Sequence, residues 1–148
     1  MIRLQLEDFD IGAEVDAVVG GRTDIGAVVT FTGLVRDMAG GQPVAAITLE
    51  HYPEMAMREL GQIEREAETR WSLQGSLIIH RFGRLLAGER IVLVVTASPH
   101  RAEAFEAAEF LMDYLKTRAP FWKSETTPDG ELWVQAAAKD NDALKRWR

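Results

Sequence analysis

Two lysines bracket the run Lys116-Thr117-Arg118-Ala119-Pro120-Phe121-Trp122-Lys123, where a helical pattern ends and a strand pattern begins. Three cations so close repel one another, and burial beside Phe121 and Trp122 disfavours a charged amine. The corner is therefore one where a lysine can titrate toward neutrality and act as a nucleophile or a base. Plain solvated surface charge is the competing explanation. A second cationic group, His100-Arg101, follows Ser98-Pro99 at the start of the same helical pattern. Unpaired N–H groups and the helix dipole favour an anion there, and cations at that end cost about 0.3–1 kcal/mol each unless an anion or carboxylate offsets them. Arg36 is a third candidate, at the end of a strand. Fifteen helical residues separate Arg101 from Lys116, about 22 Å along the axis, so one chain can hardly bring both into one compact site. If they share a site, a second copy of the chain supplies one of them, which predicts a homodimer with composite sites.

Other chemistries find less support. The chain has no cysteine and three histidines, which removes thiolate nucleophiles and disulfides and makes zinc improbable. Any sulfur chemistry must use sulfur brought by another molecule. His51 and His80 fall in strand patterns and read as packed or hydrogen-bonded. The segment from Gly83 to Gly88 lacks the lysine and hydroxyl residue of a phosphate loop and reads as a hairpin connection. Met55, Met57 and the tryptophans read as core or interface, and the serines have no histidine and acid partners in context. A net charge of −6, with the basic residues in small groups, argues against nucleic acid and for a small anion or a protein as target. The N-terminal residues lack a signal-peptide core and no apolar run is long enough to cross a bilayer, so the expected location is the cytoplasm, with no membrane partner.

At 148 residues, with 47% hydrophobic and 27% charged residues, the chain fits a single globular domain that buries roughly 70% of its unfolded surface. Ile2, Leu4 and Leu6 alternate in a short strand. Asp10 is placed to cap a helix running to about Val19 and stopped by Gly20-Gly21. Strands are expected over 26–34 and 44–52, separated by a turn-like segment after Arg36. Pro53 opens a long helix to Trp71, with Met55, Leu60, Ile63 and Ala67 inward and a solvated face of Arg58, Glu59, Glu64, Arg65 and Glu68. Residues 76–82 and 90–97 form an antiparallel pair. Ser98 is the expected N-cap and Pro99 the first residue of a helix with Phe105, Ala108, Leu111, Met112 and Leu115 inward, ending before Pro120. A final hairpin, 121–126 with 131–135, turns at Pro128-Asp129-Gly130, and residues 139–148 read as a polar, frayed tail. Strand pairs lie between about three helices, which favours an α+β fold with mixed, largely antiparallel sheets.

The motifs Phe31-Thr32-Gly33-Leu34-Val35-Arg36, Leu49-Glu50-His51-Tyr52-Pro53-Glu54-Met55, His80-Arg81-Phe82-Gly83, Ser98-Pro99-His100-Arg101 and residues 116–125 together resemble the catalytic, large subunit of molybdopterin synthase, in order and in spacing. The resemblance implies an α/β-hammerhead-like fold over residues 1–148. It also implies a sulfurtransferase that converts cyclic pyranopterin monophosphate to the molybdopterin dithiolene in molybdenum cofactor biosynthesis. Sulfur would arrive as a thiocarboxylate on the C-terminal glycine of a small ubiquitin-like subunit, and two large subunits would form the centre of a heterotetramer. No metal and no permanently bound cofactor is implied. By resemblance Lys116 and Lys123 are catalytic; Arg36, His100 and Arg101 bind substrate; and Leu34, Val35, Ser124 and Glu125 line it, with His100 and Arg101 coming from the opposite subunit.

Two departures from the family pattern bear on the pocket. Members often carry a second basic residue where Ser124 stands, and some an arginine near Ala136-Ala137-Ala138, so the pocket here is expected to be less positive. Two other functions stay open at this level: a dimeric module that binds a phosphorylated metabolite without turnover, and a protein-interaction scaffold.

Overall fold

The computed structural model describes residues 1–118, 120–134 and 138–147. The chain opens with β1 (Ile2–Gln5), then α1 (Ile11–Val19), whose N-cap Asp10 accepts the Ala13 N–H at 3.0 Å and whose C-cap Gly20 is left-handed, as the sequence predicts. β2 (Ala27–Leu34), the two-residue strands β3 (Met38–Ala39) and β4 (Gln42–Pro43), and β5 (Ala46–His51) follow. Helix α2 (Pro53–Trp71) carries proline in its first turn; β6 (Gly75–Arg81), β7 (Gly83–Leu86) and β8 (Arg90–Ser98) lead into α3 (Arg101–Thr117). β9 (Phe121–Thr127), β10 (Gly130–Val134) and α4 (Ala138–Lys145) complete the chain.

The strands form two four-stranded sheets and a small ribbon. In the first sheet the order is β1-β6-β8-β2, with β1 parallel to β6 and the other neighbours antiparallel; in the second it is β10-β9-β5-β7, all antiparallel. This is the expected mixed α+β architecture. The first sheet is apolar on both faces. Ile78, Val92 and Val94 pack against Leu60 and Ile63 of α2 and Phe110 and Leu111 of α3, while Leu77, Ile79, Leu93 and Val95 face Phe9 and α1. Continuous apolar strands such as β6 and β8 are what a sheet covered on both sides requires. A third cluster, Val35, Val44, Ile47, Leu49 and Leu85, fills the second sheet.

The structure corrects several expectations. Residues 76–82 and 90–97 do pair antiparallel, but their connection is no simple hairpin: Gly83, at φ +83°, turns the chain into β7, which pairs with β5 of the other sheet. Met55 is 47% exposed and Phe105 60% exposed, whereas Phe110, absent from the expected inward set, is fully buried. Glu64, expected in solvent, is buried and accepts the Ser76 hydroxyl at 2.8 Å. The C-terminal residues are docked rather than frayed: Leu144 is buried, the Trp147 indole N–H donates to Asp113 at 2.6 Å, and Arg146 pairs with Glu109 and Asp113. A single tryptophan and leucine anchor that segment, a signal too sparse to give a periodic pattern. No described helix is long and apolar enough to cross a membrane.

Candidate active site

Lys116 belongs to the last turn of α3, and the chain then runs from Arg118, its C-cap, into β9 at Phe121. The two lysines therefore stand near the end of α3 and early in β9, on consecutive elements of the chain. Lys116 is exposed and Lys123 half-buried. Arg118 is not part of that corner. Its guanidinium turns to α2, pairing with Glu59 at 3.5 Å and Glu66 at 3.4 Å, and lies 4.9 Å from the Tyr114 ring centroid. The expected cluster of three cations is therefore a pair of lysines, with the arginine serving helix packing.

Strand alternation decides what else faces Lys123. Cross-strand partners project to the same side, and Lys123 is opposite Leu49, Phe121 opposite His51 and Glu125 opposite Ile47. Phe121, Lys123 and Glu125 thus share a face with Ile47, Leu49 and His51, the side on which Val35 is buried against Ile47 and Leu49. Ser124 sits opposite Thr48 and Trp133 on the other face, with 3% exposure. Of the two residues expected to line substrate from this strand, only Glu125 shares the side of Lys123.

Beneath the lysine corner the two sheets meet through rings. The His80 imidazole stacks on Phe121 at 4.0 Å between centroids and 14° between planes; Phe121 is 5.5 Å from His51, which tilts against Phe82 at 4.6 Å. Burial pushes His80 down to about 4, against the bond that it makes to the Arg81 carbonyl; the nearby Lys116 and His51 charges push the same way as burial. Burial also lowers His51. Both histidines are packed, as their strand patterns predict, and the packing joins them to Phe121 at the start of β9, a contact that no local pattern announces. The clue was available in the motif His80-Arg81-Phe82-Gly83, whose glycine transfers the chain between sheets.

The remaining cations lie elsewhere in the chain. Arg36 is exposed just beyond β2, in a segment tied down by Val35 N–H to the Glu89 carbonyl at 2.9 Å and Val44 N–H to the Asp37 carbonyl at 2.7 Å. Ala45 N–H then donates to the Thr126 carbonyl at 2.9 Å, linking this segment to β9. Leu34 is 54% exposed beside it. His100 and Arg101 are exposed at the start of α3. His100, not Ser98, occupies the N-cap, and no side chain caps the helix. Ser98 is the last residue of β8, two residues before the N-cap, and its hydroxyl donates to the His100 carbonyl. Their separation from Lys116 is the length of α3, as the sequence spacing requires.

An open cleft of about 960 Å³ lies between β1, β5 and the start of α2, lined by Leu4, Leu6, Leu49, His51, Met57 and Phe82 among others. None of the five cationic candidates lines it, so volume alone does not locate the chemistry. Among the described residues no group of three His, Cys, Asp or Glu could hold a metal ion.

Comparison with known proteins finds relatives over nearly the whole chain. A family model described as MoaE protein matches residues 4–118, which includes Lys116 and stops short of Lys123. The molybdopterin synthase catalytic subunit of Mesorhizobium japonicum is 56% identical over 149 residues, covering 99% of this chain and 92% of that protein. The solved molybdopterin biosynthesis MoaE protein from Burkholderia ambifaria has a TM-score of 0.85 and 51% identity, covering 99% of this chain and 97% of that one. The same fold recurs in a complex of subunits 1 and 2 of molybdopterin-converting factor from Helicobacter pylori, at a TM-score of 0.74 and 18% identity over 90% of each chain.

Proposed function

This chain belongs to the MoaE protein family, that of molybdopterin synthase catalytic subunits, and from that premise we propose that it transfers sulfur to cyclic pyranopterin monophosphate, with Lys116 as the essential amine. The sulfur donor is the C-terminal thiocarboxylate of a small ubiquitin-like subunit, and the product is the molybdopterin dithiolene. The observation that carries the assignment is the placement of Lys116 and Lys123 at the two ends of one short connection, with Lys123 and Glu125 on a common face of β9. In a chain without cysteine, amines are the groups suited to proton transfer at a thioester-like centre.

The roles follow from charge and position. Arg36, His100 and Arg101 hold the cyclic phosphate and stabilise the charge that develops as its ring opens. Lys116 and Lys123 move protons and steady the acyl-thio intermediate formed when the thiocarboxylate sulfur bonds to the substrate; water then releases the partner's carboxylate and leaves the sulfur on the pterin. Leu34 and Glu125 border the substrate; Val35, buried against Ile47 and Leu49, and Ser124, buried on the far face of β9, contribute through their backbone positions. No resident cofactor is needed, and the reaction belongs in the cytoplasm.

Because α3 holds Arg101 and Lys116 about 22 Å apart, the complete site is composite, with His100 and Arg101 supplied by a second copy in a homodimer at the centre of a heterotetramer. Exposed Phe31 and Leu34 on the edge strand β2, and Phe105 early in α3, supply apolar surface for such a contact. The test is to mix the purified chain with cyclic pyranopterin monophosphate and a thiocarboxylated small subunit and to measure molybdopterin as its fluorescent oxidation product. Product is expected with the native chain and none with a folded Lys116→Ala variant. Near-native turnover by that variant would remove Lys116 from the mechanism; phosphate-ester binding without turnover by the native chain would favour a metabolite-binding module.

A further inference from the structure

The His80 ring is a buried polar group that the proposed mechanism leaves unused, and it stacks on Phe121, the first residue of the strand that carries Lys123. It stands on β6 opposite Val92, on the sheet face covered by α2 and α3, where α3 ends and β9 begins. Its Nδ1 is 2.8 Å from the Arg81 carbonyl oxygen. A carbonyl only accepts, so Nδ1 carries the proton, and in the neutral ring Nε2 is left as an acceptor. The stack on Phe121, two residues before Lys123, holds the plane of the ring, and the bond from Nδ1 to the Arg81 carbonyl sets which edge faces which way. Tautomer and orientation are both fixed, at a position whose charged or titratable neighbours are Lys116 from α3 and His51 from β5.

We propose that His80 is the positioning residue for Lys116, an imidazole locked by Arg81 and Phe121 whose Nε2 accepts from the Lys116 amine and aims it along the face shared by Lys123. The role rests on Lys116 being the reactive amine. A lysine has four rotatable bonds and its ammonium is strongly hydrated, so an exposed one needs a fixed acceptor to occupy a single geometry. Burial keeps the imidazole uncharged across the pH range of an assay, so it offers Lys116 a lone pair and not a second positive charge. The same stack that locks His80 also anchors the first residue of β9. One contact thereby couples the placement of both lysines.

The test compares His80→Phe, which preserves a ring on Phe121 without nitrogen, with His80→Asn, which retains a donor toward the Arg81 carbonyl but has no acceptor at the Nε2 position. Two quantities are read in the assembled complex with the small subunit: kcat and KM for molybdopterin formation, and the rate at which Lys116 is reductively methylated by formaldehyde, followed by peptide mass spectrometry. Expected is a fall in kcat on the order of 10- to 100-fold with KM nearly constant, the scale of a misplaced catalytic group, together with an altered Lys116 methylation rate. Native kcat and native methylation in either folded variant overturn the proposal, as does a loss of kcat with Lys116 methylation unchanged. Altered methylation with native kcat keeps His80 as the residue that positions Lys116 and instead refutes Lys116 as the reactive amine. Should His80→Phe fail to fold, His80→Asn decides by the same readings.

Discussion

A histidine that titrates far below its ordinary range marks where the structure excludes charge. His80 is pushed from 6.5 to about 4, chiefly by burial. Its folded value lies below its unfolded one, so the unfolded chain binds the extra proton between those limits, and the associated stability is full above about pH 6.5 and is lost as pH falls toward 4. The difference amounts to roughly 3 kcal/mol. Urea unfolding at pH 7 and pH 4.5 should show the native chain losing stability over that interval and His80→Phe losing distinctly less. Equal pH dependence in the two proteins would mean that His80 is accessible to protons in the folded state. Arg118 teaches the complementary lesson. Its place between two lysines suggests repulsion, yet Glu59 and Glu66 draw it to α2, and the corner is less crowded with charge than the sequence order suggests.

Among the elements, the turn from β8 into α3 governs where His100 and Arg101, the pair proposed to hold the phosphate, are placed. Gly26 donates to the Ser98 carbonyl at 3.1 Å, and a Cβ on Gly26 would lie 2.1 Å from the Pro99 carbonyl oxygen. Backbone meets backbone there, so no side-chain movement relieves the clash. Gly26→Ala should destabilise the fold by about 1–3 kcal/mol in urea unfolding and raise KM by displacing His100 and Arg101. A variant with native stability and KM would show that the turn yields without moving the helix start. The crossing at Gly83 works at the same scale. By sending β7 into the second sheet, it carries Phe82 to His51 and so joins the ring cluster below the lysines.

For the whole molecule, the length of α3 is the decisive quantity. A site that uses both ends of one helix must be built from two chains, which makes inactive variants complementary. Mixing Arg101→Ala with Lys116→Ala subunits under exchanging conditions should restore roughly a quarter of native activity, since half the dimers are mixed and each holds one intact site. No recovery from demonstrably mixed dimers would place both groups' functions within single subunits. The docked α4 adds a second long-range constraint. Trp147 and Arg146 hold it on Asp113, three residues before Lys116, so the C-terminal segment braces the helix that carries the amine.

Period and punctuation determined much of this protein: α1 between Asp10 and Gly20, α2 from Pro53 to Trp71, the pairing of β6 with β8, and the final hairpin all follow from local signals in the chain. The candidate amines and the distance between the ends of α3 were equally legible, because helical rise converts residue number into length. Tertiary structure alone decided that Arg118 leaves the corner, that Lys123 comes to lie opposite Leu49, that Glu64 is buried, and that His80 lies flat on Phe121. Each of these depends on contacts between residues distant in sequence. Local patterns fix which element a residue occupies, whereas the register and packing of separate elements fix what its side chain meets.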